Sequence, residues 1–175
     1  MPRAIYPGTF DPVHNGHIDI AMRAAGLFEH LTVAVYARPL KSLLFTDAER
    51  TAMIEEALAH VPNVSVATYT QLTVDFAHQV GAHAIVRGLR VISDFELEFQ
   101  MALTNKKLAP DLEFVCLMTS EEYAFISAST VKEIVMLGGC VEGMVSPHVA
   151  EALQSKFATS DSEGMDSVRL VSLRD

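Results

Sequence analysis

The chain has 175 residues, half of them hydrophobic, and carries 13 basic against 22 acidic side chains for a formal net charge of −9. That length supports one domain with a single sizeable core and is short for two ordinary ones. The acidic balance argues against a nucleic-acid binder, which needs a dense basic surface, and no apolar run approaches the roughly 18 residues of a membrane span.

The first residues, Met1-Pro2-Arg3-Ala4-Ile5-Tyr6, run directly into strand-like sequence without an apolar signal region, so the cytoplasm is the expected location. In chain order, β-branched and apolar runs predict strands at Arg3 to Tyr6, Leu31 to Ala37, Val64 to Tyr69, Ala84 to Val86 and Glu113 to Met118. Helical segments alternate with them at Ile18 to Phe28, Asp47 to His60, Val74 to Val80, Asp94 to Leu108 and Val131 to Leu137. Strict β-α alternation implies an α/β, doubly wound, five-stranded parallel sheet with right-handed crossovers and helices on both faces.

Local chemistry marks several boundaries. Thr46 with Glu49, and Thr130 with Glu133, have the spacing of capping boxes, and Gly138-Gly139 suits a helix stop. Ser146-Pro147 can open a last helix through Phe157. From Ala158 the chain turns Ser-rich and acidic, so residues 1–157 are expected to form a single domain and residues 158–175 a flexible tail. Cys116 and Cys140 form neither a disulfide framework nor a metal spacing and read as unpaired packing residues.

The strongest signal is Gly8-Thr9-Phe10-Asp11-Pro12-Val13-His14-Asn15-Gly16-His17, between the first strand and the first helix. Ligands of an open α/β sheet bind outside the carboxyl ends of its strands, where helix amides face the ligand, and Gly8 and Gly16 permit close backbone approach to a phosphate. His14 and His17 can both face one anion. They can equally be a helix cap and a surface residue, or two thirds of a metal site that lacks its third ligand. Arg87 and Arg90 flank Gly88 at the same edge, and either can instead be a surface arginine paired with Asp94 or Glu96. Lys41 is a further loop cation after the second strand. Ser127, Ser129 and Thr130 precede a helix, where they can meet phosphate oxygens or simply cap. Glu98 by itself reads as part of a solvated helix face, and Thr73 as an N-cap.

His14-Asn15-Gly16-His17 resembles the H/T-x-G-H signature of the nucleotidylyltransferase superfamily, and Tyr6-Pro7-Gly8-Thr9-Phe10-Asp11-Pro12 looks like its phosphopantetheine adenylyltransferase branch. The likeness continues through Arg87-Gly88-Leu89-Arg90, Asp94-Phe95-Glu96-Leu97-Glu98 and Phe125-Ile126-Ser127-Ala128-Ser129-Thr130. It spans about residues 3 to 157. The resemblance implies a Rossmann-like nucleotidylyltransferase fold and transfer of AMP from ATP to 4′-phosphopantetheine, giving dephospho-coenzyme A and pyrophosphate. It further implies Mg²⁺ with the nucleotide, a homohexamer and feedback inhibition by coenzyme A.

The same resemblance assigns His17, Lys41 and Arg90 to catalysis. It gives ATP Thr9, Phe10, His14, His17, Gly88, Leu89, Arg90 and Glu98 together with Tyr123, Ala124, Phe125, Ile126, Ser127, Ala128 and Ser129. The acceptor substrate receives Thr9, Lys41, Thr73 and Arg87. The family usually has Trp where this chain has Tyr123, and often Ser where it has Ala128. No nucleophile elbow or base-paired cysteine is present, so the implied chemistry is direct in-line attack on the α-phosphorus, driven by positioning and electrostatics. Sister enzymes that use nicotinamide mononucleotide, glycerol 3-phosphate or phosphocholine share this chemistry, and a sensor without turnover is the alternative from another class. Class I aminoacyl-tRNA synthetases carry a similar signature but usually have added domains and a surface for tRNA.

Overall fold

A computed structural model describes residues 2–40 and 42–162, with the backbone alone at 92, 93 and 159–162. Five strands, β1 (Arg3–Gly8), β2 (His30–Tyr36), β3 (Val64–Tyr69), β4 (Ala84–Leu89) and β5 (Glu113–Met118), form one sheet in the order β3-β2-β1-β4-β5. Every pairing is parallel. The helices are α1 (Asn15–Leu27), α2 (Asp47–Leu58), α3 (Thr73–Gln79), α4 (Ile92–Leu108), α5 (Ala128–Met136) and α6 (Pro147–Ser162), with a short 3₁₀ turn at Glu121–Tyr123. The doubly wound expectation therefore holds.

Two apolar clusters clothe the sheet. On one face Val33, Val35 and Val86 pack with Ile20 and Ala24 of α1, Ile54 of α2, Val131 of α5 and Leu153 of α6. On the other, Ile5, Ala34 and Ile85 meet Val74 and Phe76 of α3, with Ala109 and Leu112 beyond α4. The central strands are nearly continuous apolar runs because both of their faces are covered. Burying each of the valine, leucine, isoleucine and phenylalanine side chains contributes about 1.5–3 kcal/mol, which makes this layering the main source of stability.

Strand order also creates the crevice. The direction in which successive strands are added to the sheet reverses between β1 and β4, and these two parallel strands are paired only at Ala4 with Ala84 and Ile5 with Ile85. β1 and β2 stay paired from Arg3 to Gly8. Beyond Ile5 and Ile85 the switch-point strands part, and a ligand space opens at their carboxyl ends.

Several local expectations need correction. The Thr46–Glu49 capping box forms, but the helix expected at Val131 starts at Ala128. Its N-cap is Ser127, whose Oγ accepts the Thr130 amide at 3.1 Å, so Thr130 and Glu133 form no cap. The N-cap of α3 is Leu72, and the Thr73 hydroxyl instead lies 3.0 Å from the Tyr69 hydroxyl. Gly138 has the expected positive φ of 78° that lets the chain leave α5. Helix α6 continues through Ser162, past the helix end expected at Phe157, and residues 163–175 of the expected flexible tail lie outside the described residues. Both cysteines are free, yet they are exposed and are not packing residues. Cys116 stands on β5, which among the described residues has a strand neighbour on one side only.

Candidate active site

A cavity of about 390 Å³ occupies the crevice between β1 and β4. Its walls come from the β1–α1 loop, the carboxyl end of β4, the first turns of α4 and the start of α5. Of the sequence-derived set it gathers Thr9, Phe10, His14, His17, Arg87, Gly88, Arg90, Glu98, Ser127, Ala128 and Ser129. Leu89 and the segment from Tyr123 to Ile126 are not among the residues lining it. Leu89 and Ile126 are buried, and Phe125 is exposed. Lys41 lies outside the described residues. A second cavity, of about 320 Å³, adjoins the first and shares Pro7, Gly8, Thr9 and Arg87 with it. Tyr36, Tyr69, Leu72, Thr73, Met101 and Asn105 are among its other walls.

The loop after β1 is fixed by its aromatic side chains. Phe10 has a left-handed backbone (φ 52°), unusual for a residue with a side chain, and its ring packs edge-on against Tyr6 at 5.4 Å and His17 at 5.0 Å. The same ring covers Gly8, where an added Cβ would come within 2.7 Å of it. At Gly16 the obstacle is His14, 3.1 Å from such a Cβ. The need for these glycines thus arises from neighbouring rings, whereas the sequence suggested room for a phosphate.

His14 is the N-cap residue of α1 and is buried. Its ring stacks on His17 at 3.6 Å, and its Nδ1 has no hydrogen-bond partner among the described residues. Burial, aided by Arg90, lowers its pKa to about 4. His17 Nδ1 accepts the His14 backbone N–H at 3.3 Å. An accepting Nδ1 leaves the proton of a neutral ring on Nε2. Burial, then the charges of His14, Arg87 and Arg90, lower the His17 pKa well below its ordinary value, so the ring is a neutral donor near neutral pH. Neither histidine is the surface residue allowed by the sequence. Among the described residues no group of three His, Cys, Asp or Glu side chains could hold a metal.

Each described cation in the cavity has an acidic partner. Arg87 Nε donates to both Glu98 oxygens at 2.9 and 2.8 Å, and its Nη1 donates to the Pro7 carbonyl at 2.6 Å. Burial alone would lower the guanidinium pKa, but the Glu98 hydrogen bond and charge raise it above its ordinary value. Arg90 Nε meets Asp94 Oδ2 at 3.1 Å, and Nη1 holds the Ile126 carbonyl at 3.0 Å, which secures the segment leading into α5. Arg87 lies within β4 and not after it, which aims its side chain across the opening between the strands. Glu98 is buried, contrary to the solvated face expected for it.

Sequence reasoning passed over Lys132 and Asp11 as functional residues. Lys132 Nζ lies 2.8 Å from Asp11 Oδ2, and both residues line the first cavity. Asp11 also accepts the Leu44 and Phe45 amides at 3.0 and 2.9 Å, tying the β1–α1 loop to the segment between β2 and α2. One signal was available for Lys132: a lysine soon after a helix start opposes the helix dipole and invites a search for its anion.

Two substrate-sized spaces that meet at a shared arginine suit joining of two molecules. A model of the cytidylyltransferase-like family matches residues 5–134. A protein of Thermomicrobium roseum named phosphopantetheine adenylyltransferase is 54% identical over 160 residues, covering 90% of this chain and 96% of that relative. The chain belongs to the phosphopantetheine adenylyltransferase family. A similarly named protein of Caldanaerobacter subterraneus is 52% identical, covering 91% of this chain and all of its own length, and one of Herpetosiphon aurantiacus is 48% identical, covering 92% and 98%. In this member of the adenylyltransferase family, the matched span of the family model contains all of the first cavity's β1–α1, β4 and α5 walls.

Proposed function

We propose that the chain transfers the adenylyl group of ATP to the phosphate of 4′-phosphopantetheine, forming 3′-dephospho-coenzyme A and pyrophosphate, in the cytoplasm. The observation that carries this reading is the junction of the two cavities at Thr9 and Arg87. ATP occupies the first and the acceptor the second. An acceptor phosphate oxygen attacks the α-phosphorus in line, a P–O bond forms, the bond to the β-phosphate breaks, and the electron pair leaves with pyrophosphate.

The acceptor phosphate is already anionic, so no strong base is needed. His17 donates its Nε2 proton in a hydrogen bond to the α-phosphate, while Arg90 and Lys41 offset charge there and on the leaving group. Thr9, Phe10, His14, Gly88, Glu98 and Ser127 to Ser129 surround the nucleotide, with Leu89 and Tyr123 to Ile126 behind them by family resemblance. Arg87, Lys41, Thr9 and Thr73 serve the acceptor. The cavity carboxylates Asp11, Asp94 and Glu98 are engaged by Lys132, Arg90 and Arg87, which suits a Mg²⁺ ion held mainly by triphosphate oxygens and water. That ion would neutralise part of the polyphosphate charge.

The second cavity favours pantetheine over the sister acceptors. Leu72, Met101 and Phe114 give it apolar walls, with Thr73, Asn105 and Gln71 as hydrogen-bonding groups between them. An arm that alternates short carbon segments, one of them carrying two methyl groups, with two amides uses both kinds of wall. Glycerol 3-phosphate is too small to use them and nicotinamide mononucleotide too polar. Coenzyme A, which contains both halves of the product, is a fitting competitive feedback inhibitor.

We also propose the homohexamer of the family. Helix α4 presents Phe95, Phe99, Leu103 and Leu108 to solvent, the first two rings stacked at 5.8 Å, and a second copy of this chain would bury them. The deciding assay for the reaction follows pyrophosphate release and mass-identified product with ATP and each acceptor in turn. Turnover with 4′-phosphopantetheine at least about 10²-fold above nicotinamide mononucleotide and glycerol 3-phosphate is expected. Preference for either sister acceptor, or no turnover with any, overturns the reading.

A further inference from the structure

Arg50 sits in the first turn of α2 and is 1% exposed, one of the most deeply buried large side chains of the protein. Its Nη1 donates to the Thr9 carbonyl at 2.6 Å and to the Tyr36 carbonyl at 3.0 Å, while its Nε has no partner among the described residues. Asp11 and Asp47 act on the guanidinium through space without pairing with it, and Asp11 is itself paired with Lys132. A buried cation whose only hydrogen-bond acceptors among the described residues are two carbonyls is an expensive way to fill a core, because an apolar side chain of similar volume is often at least as stabilising.

What the two carbonyls have in common is the site. Thr9 belongs to the walls of both cavities, and Tyr36 to the second. Tyr36 also ends β2, where the chain enters the segment that carries Lys41. The far end of that segment is held by Asp11, which accepts the Leu44 and Phe45 amides. Arg50 therefore fixes the near end of the Lys41 segment and, with the same nitrogen, the partition between the two cavities.

We infer that Arg50 is a positioning residue for the transfer, gripping the Thr9 and Tyr36 carbonyls so that acceptor and α-phosphate stay aligned. It touches neither substrate and acts through Thr9 and through the foot of the Lys41 segment. This inference rests on the reaction proposed above. Displacement of a partition by about an ångström costs alignment far more than affinity, because each ligand keeps most of its own contacts.

The test uses full-length Arg50→Met and Arg50→Lys, with folding checked by near-ultraviolet circular dichroism and Tm. Single-turnover rates are read beside calorimetric Kd values for ATP and 4′-phosphopantetheine. Arg50→Met should lower the rate by on the order of 10²-fold with both Kd values within about threefold of wild type. Arg50→Lys, which keeps the charge but cannot span both carbonyls equally well, should fall between. If Arg50→Met does not fold, the lysine variant decides by the same split of rate from affinity. A folded variant with wild-type rate overturns the inference, as does a rate loss that only tracks the fraction of protein able to bind ATP. A wild-type protein that turns over no substrate is a different result, and it overturns the reaction and this role together.

Discussion

At the scale of single residues, His17 carries most of the chemistry proposed for the site. Its Nδ1 is committed to the His14 amide, and burial keeps the ring neutral, so its remaining polar atom can only donate. A general base would need Nε2 free of its proton. Because the folded-state pKa lies well below 6.5, lowering the pH through the ordinary histidine range should not charge this ring. The expected outcome is a rate of transfer without a limb from His17 near that pH, together with a loss on the order of 10²-fold in His17→Ala. His17→Gln, still a donor, should retain more activity than the alanine variant, with ATP affinity preserved in both. A limb near pH 6.5 that disappears in His17→Gln would instead identify a titrating base. The motif was fully legible in the sequence, but the tautomer was not, since it depends on how a backbone amide and a ring meet across one turn.

Among the elements, α4 shows how one helix serves the site from behind. Asp94 and Glu98 are one turn apart, and they engage Arg90, just past the end of β4, and Arg87 within it, respectively. Replacing Glu98 by Gln removes the negative charge that competes with an acceptor phosphate for Arg87, but it also removes the two-oxygen fork that fixes the guanidinium. Affinity for 4′-phosphopantetheine should therefore hold or improve while kcat falls by about tenfold, roughly 1.4 kcal/mol of lost alignment. Steady-state kinetics beside acceptor titration will separate the two, and unchanged kcat with weaker ATP binding would leave Glu98 a nucleotide contact with no part in aligning Arg87. Elements themselves were read well where local chemistry fixes them. β3 and β5 agree residue for residue, and the Thr46–Glu49 box opens α2 as its spacing required. The start of α5 was misread because Ser127 and Thr130 are both good caps; the Ser127 hydroxyl takes the Thr130 amide, and Arg90 holds the neighbouring Ile126 carbonyl.

At the scale of the whole molecule, the exposed apolar side of α4 is the face proposed above for contact with a second copy. Sedimentation should show an assembly of six chains, and Phe95→Glu combined with Phe99→Glu should shift it toward smaller species, since burying two carboxylates in a contact is strongly unfavourable. A monomeric wild type, or an assembly indifferent to both substitutions, would remove this contact. Met101 of the same helix lines the second cavity, so dissociation should also weaken acceptor binding. Fold class, parallel sheet and the identity of the signature loop were determined by the sequence alone, because alternating β and α periodicities and a motif contiguous in the chain require no knowledge of distant contacts. Only the tertiary structure decided that β1 and β4 part after Ile5 and Ile85, that Arg87 belongs to both cavities, and that Lys132 pairs with Asp11. It likewise decided that Arg50 reaches Thr9. These residues stand far apart along the chain, and their partners are chosen by strand order and helix packing, which no local pattern of residues specifies.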